Sequence, residues 1–75
     1  MPSMKFTSHR SNFRYMVDLG GKTFRVNNNL ADVVKWIKRT LRRGQVADLY
    51  RVTGDAMWLH SVYKCYEDGI EVSRP

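Results

Sequence analysis

Lys35, Lys38, Arg39, Arg42 and Arg43 fall within nine residues that contain no acid. On a helix, positions 35, 38, 39 and 42 share one side, so these groups would form a cationic strip. Asp32 is the one carboxylate between residues 30 and 44, which leaves few partners at i,i+4 spacing and makes the strip self-repelling. Phosphates would relieve that repulsion, with affinity that falls steeply in salt. The bland alternative is a solvated helix back, since Lys and Arg are good helix formers.

Other reactive side chains are few. Cys65 and His60 stand five residues apart on one expected strand, hence on opposite faces, and cannot make a dyad. Cys65 reads as a small core hydrophobe. His9, His60 and Cys65 match no metal-site spacing. Asp48, Asp55, Glu67, Asp68 and Glu71 read as turn or solvated positions without evident carboxylate pairs. Gly20-Gly21, Gly54 and Gly69 each have a turn to make, so none belongs to a phosphate-binding loop. No catalytic residue, metal or cofactor is expected.

The elements that must carry these residues follow from periodicity. Phe13, Tyr15, Val17 and Leu19 alternate with Arg14, Met16 and Asp18, and Gly20-Gly21 marks a two-residue hairpin turn. Closing it sets Val17 opposite Phe24, Tyr15 opposite Val26, Met16 opposite Arg25 and Asp18 opposite Thr23. Asn29 is a good N-cap, with Asp32 in the first turn. Leu30, Val33, Val34, Ile37 and Leu41 form one apolar stripe. Arg42 and Arg43 fall in the expected last turn, with Gly44 at C′. Trp36 stands at the stripe's margin, half-exposed.

Gly54-Asp55 and Asp68-Gly69 then divide the remainder into a three-stranded meander. Two-residue turns pair Val52 with Met57, Tyr50 with Leu59 and Cys65 with Val72. The order β-β-α-β-β-β predicts an α+β two-layer sandwich, an antiparallel sheet covered on one face by a single helix. The covered face is expected to hold Tyr15, Val17, Phe24, Val26, Tyr50, Val52, Leu59 and Cys65. The open face then receives Leu49, Arg51, Trp58, His60, Val62, Lys64 and Tyr66, with Arg14, Met16 and Arg25 from the first hairpin. A one-residue bulge would exchange part of this assignment.

Composition supports one small domain over residues 12–75, preceded by a basic arm, or at most a short edge strand, over residues 1–11. Hydrophobic content of 43% permits a compact core. A single cysteine cannot form an internal disulfide, which fits a cytoplasmic setting. No secretory h-region or membrane-spanning run is present. The net charge of +6 is uneven: residues 1–29 carry +4, residues 30–44 another +4, and residues 45–75 carry −2. That field favours an anionic partner, nucleic acid first and an acidic protein or nucleoprotein second.

The expected function is therefore non-enzymatic binding of DNA or RNA. Lys35, Lys38, Arg39, Arg42 and Arg43 would neutralise phosphates, assisted by Arg14, Arg25 and Arg51. Trp58 and Tyr66 on the open face would stack on bases. In the competing reading, Trp36, Trp58, Tyr66 and an arginine form the centre of a protein interface. Alternatively, a homodimer contact or the arm's Met4 and Phe6 could cover the open face. In size, basicity and two-layer build the chain resembles small accessory proteins of bacteriophages and mobile elements, anti-CRISPR proteins among them. That likeness implies a host-directed inhibitor, and no specific motif carries it.

Overall fold

A computed structural model describes Met4, Phe6 and residues 13–75. β1 (Tyr15–Leu19) and β2 (Lys22–Val26) meet at Gly20-Gly21, with φ of 59° and 81°. A two-residue turn with positive φ at both central positions matches the right-handed twist of the flanking strands. The register is the one alternation requires, with Tyr15 opposite Val26, Met16 opposite Arg25 and Val17 opposite Phe24. β3 (Val46–Thr53), β4 (Ala56–Tyr66) and β5 (Gly69–Ser73) form the meander. The five antiparallel strands lie in the order β2-β1-β3-β4-β5. One helix, α1 (Leu30–Thr40), covers one face, so the chain is a two-layer α+β fold.

α1 spans Leu30–Thr40 and begins as its sequence requires. Asn29 is the N-cap, and its Oδ1 accepts the Asp32 backbone N–H at 2.9 Å, satisfying one otherwise orphaned donor. Val33 and Ile37 are wholly buried, and Leu41 nearly so, against Val17, Leu19, Val26, Ala47, Leu49 and Tyr63. Burying Ile37 contributes about 2 kcal/mol, and each such residue anchors the helix on the sheet.

The helix stops earlier than the cationic run. Leu41 is the C-cap with extended φ and ψ, so Arg42 and Arg43 lie in the α1–β3 loop instead of the last helical turn. Gly44, at φ 83°, is correspondingly no helix C′ residue. It sits third in a turn closed by the Gln45 N–H on the Arg42 carbonyl at 3.0 Å, a position that demands positive φ. The loop is held on β4 by Gly44 N–H to the Cys65 carbonyl and Cys65 N–H to the Gln45 carbonyl.

The meander departs from the expected facing. Tyr50 opposes Leu59 and Val52 opposes Met57, as read, but Leu49 opposes Ser61, so His60 is an extra residue in β4. That bulge reverses the phase of half the strand relative to the rest. β1 also pairs with β3, setting Val17 opposite Leu49 and Met16 opposite Tyr50. Leu49 is therefore core, with no exposure, whereas Tyr50, Val52 and Leu59 share the open face with Met16 and Arg25. Cys65 keeps its covered-side position but pairs with Ile70, because the second turn is Glu67-Asp68 and Gly69 already belongs to β5. The shift is of two residues, so no face changes.

The basic arm lies outside the described residues except at Met4 and Phe6. Phe6 bridges Val26, and its ring lies 5.8 Å from Phe24 and 5.6 Å from Trp36. Phe6 therefore seals the seam between α1 and β2, and Met4 packs against the core, so neither covers the open face.

Candidate nucleic-acid interface

Docking of the Val33–Ile37 seam turns Lys35, Lys38 and Arg39 outward, and all three are exposed. Arg42 and Arg43 continue the basic surface into the loop. There the Arg42 N–H donates to Gln45 Oε1 at 2.9 Å, and a Cβ on Gly20 would stand 2.9 Å from Gln45 Nε2. Gln45 thus braces the basic loop between the first hairpin and β4. The sequence signals nothing of this, since it depends on which turns meet in space.

Neutralisation of Arg43 by the chain itself is slight. Arg43 reaches Glu67 at 3.6 Å, with the two side chains 70% and 88% exposed. Such a pair is worth little and exchanges easily for another anion. Among the described residues, Lys35, Lys38 and Arg42 form no ion pair. These three side chains are exposed, and their mutual repulsion remains available to be relieved.

The remaining residues do not extend this surface. Arg25 belongs to the open sheet face, on the opposite side of the molecule from the outer face of α1, and Arg14 stands at the bend before β1. Arg25 stacks its guanidinium 5.8 Å from the centre of the Phe13 ring. Arg51 opposes both Tyr15 and Trp58, which places Arg51 and Trp58 in the covered-side row Val26–Tyr15–Arg51–Trp58. Both are exposed because they lie past the reach of α1. Tyr66 lies on the open face at the other end of β4, so Trp58 and Tyr66 make no common stacking platform. Trp36 packs edge-on at 5.1 Å from Phe24 and is half-buried as part of an aromatic cluster.

Strand pairing also brings together groups that sequence spacing keeps apart. Asp18 and Asp48 are direct cross-strand neighbours on the open face, and Thr23 donates its hydroxyl to Asp18 at 2.7 Å. Two acids at the centre of that face oppose phosphate there. Ser61, wholly buried, bonds the Tyr63 hydroxyl at 3.0 Å and His60 Nδ1 at 2.9 Å. This closed network satisfies buried hydroxyls and presents no accessible nucleophile. Cys65 is a free thiol on the covered side. His9 lies outside the described residues. Among the described residues, no three His, Cys, Asp or Glu side chains converge to hold a metal ion, and no helix is long and apolar enough to cross a membrane. Comparison with family models, with curated proteins and with solved structures finds no match for this chain.

Proposed function

We propose that this chain is a non-enzymatic, cytoplasmic module that binds nucleic acid through the outer face of α1 and the α1–β3 loop. The observation that carries the reading is that Lys35 and Lys38 on α1 and Arg42 in the loop after it are exposed and form no ion pair among the described residues. Arg39 and Arg43 add charge to the same side. Among the described residues no base-reading constellation accompanies the cations, which supports binding through phosphates that is tolerant of sequence. Duplex is favoured over single strands, because Trp58 and Tyr66 do not line up as a stacking surface and Asp18 and Asp48 guard the open face.

Four phosphate contacts would give a slope of log K against log salt of roughly −3.6, so affinity falls about 10²-fold between ~50 and ~200 mM salt. A mobility-shift titration with a random-sequence duplex should show that dependence, and Lys35/Lys38/Arg42→Ala should remove most of the binding while circular dichroism stays unchanged. Absence of any complex with duplex DNA or RNA at ~50 mM salt sinks the reading. The competing inhibitor reading draws less support, because Trp36, Trp58 and Tyr66 occupy three separate places and share no interface centre.

A further inference from the structure

β5 pairs with β4 only over Val62–Tyr66, whereas β4 begins at Ala56. Among the described residues, no strand pairs with Ala56–Ser61 on the side away from β3. Antiparallel pairing alternates which residues turn their main-chain groups toward a neighbour. Part of the N–H and C=O groups of this segment therefore face outward on a free edge. Proteins usually blunt such edges with charge, proline or a covering segment. Here the edge reads Ala56-Met57-Trp58-Leu59-His60, without lysine, arginine, acid or proline, and its three central side chains are 51%, 63% and 38% exposed. The bulge lies at its far end and leaves Ala56 to Leu59 in regular register with β3.

We infer that this edge joins the same edge of a second copy of the chain, in an antiparallel pair that makes one sheet continuous through both. The assignment to a second copy rests on the charge pattern and on symmetry. A two-fold axis normal to the sheet at Trp58 sets Trp58 against Trp58 and Met57 against Leu59, all within the regular part of the edge. Every pairing is neutral, and side chains of one face meet the same face. The axis also crosses an uncharged stretch of a chain whose net charge is +6, where two copies repel least. β5 ends beside Val62, so six residues of β4, Ala56–Ser61, remain between that point and the Gly54-Asp55 turn. The inference stands apart from the nucleic-acid reading, because it uses none of the α1 cations.

The two have opposite signatures in salt. Nucleic-acid binding weakens as salt rises, whereas self-association of like-charged copies strengthens as their repulsion is screened. Sedimentation of the nucleic-acid-free protein should move from the mass of one chain toward that of two as concentration approaches ~1 mM, and further at ~200 mM than at ~50 mM salt. Leu59→Lys and Met57→Lys, both at exposed positions, should each return the protein to one chain with circular dichroism unchanged. Lys35/Lys38/Arg42→Ala should leave association intact or strengthen it. A protein that stays a single chain throughout overturns the inference, as does a dimer that survives both lysine variants. A dimer that loosens with added salt overturns it too, by assigning the contact to charged groups.

Discussion

Ser61 has no exposure, yet it is polar, and it survives in the core because Tyr63 and His60 take up its hydrogen bonds. Ser61→Ala should cost about 1–2 kcal/mol, since it leaves the buried Tyr63 hydroxyl unpaired. The urea midpoint measures this, and an unchanged midpoint would show that water reaches the hydroxyl instead. The two tryptophans make a sharper contrast. Trp36 is wedged against Phe24 and Phe6, so Trp36→Ala should lose about 2–3 kcal/mol, somewhat below a full core truncation. Trp58→Ala should stay within about 0.5 kcal/mol, as fits a surface site. Reversal of that order would place Trp58 inside and α1 elsewhere. At this scale the sequence discloses residue types well and neighbours poorly. The marginal position of Trp36 on the stripe is legible, but its aromatic partners come from an edge strand and an arm far away in the chain. The Asp18–Asp48 pair is invisible for the same reason, because it exists only once β1 lies beside β3.

Elements were the most legible level wherever local chemistry decides them. Gly20-Gly21 fixes the first hairpin's register, and Asn29 with the Val33–Ile37 stripe fixes where α1 starts and which side docks. The failures come where one residue has two possible uses. Gly44 can cap a helix or serve a turn, and the hydrogen bonds that hold Gln45 and Cys65 together select the turn. His60 can continue a strand or bulge from it, and the demand that Leu49 lie over Val17 selects the bulge. Deletion of His60 tests this. With the extra residue gone, Ser61 opposite Leu49 and Leu59 opposite Tyr50 become successive rungs of an unbroken ladder. Stability should change by no more than about 1 kcal/mol, mostly through the lost Ser61 contact. A loss above ~3 kcal/mol, read from the urea midpoint, would mean that β4 carries its irregularity somewhere else.

For the whole molecule, charge separates into regions with different consequences. The outer face of α1 and the loop after it are basic, the β4–β5 turn carries Glu67 and Asp68, and β4 from Ala56 to Leu59 is neutral. A net charge of +6 opposes compaction, so the folded state should gain stability from anything that screens or neutralises it. Simple salt and duplex nucleic acid both do so, but by different laws. Salt acts by screening, shortening the range of repulsion to about 10 Å at ~0.1 M. A duplex acts by mass action, and at 100 times its Kd it contributes about 2.7 kcal/mol. For a domain of this size each kcal/mol moves Tm by about 4–8 °C, so duplex at that excess should raise Tm by roughly 10–20 °C at low salt. In Lys35/Lys38/Arg42→Ala the duplex-dependent rise should largely vanish, while the small rise from salt persists in reduced form. Equal duplex-dependent rises in the two proteins, followed by calorimetry at ~50 mM salt, would move the binding surface off α1 and onto the arginines of the first hairpin.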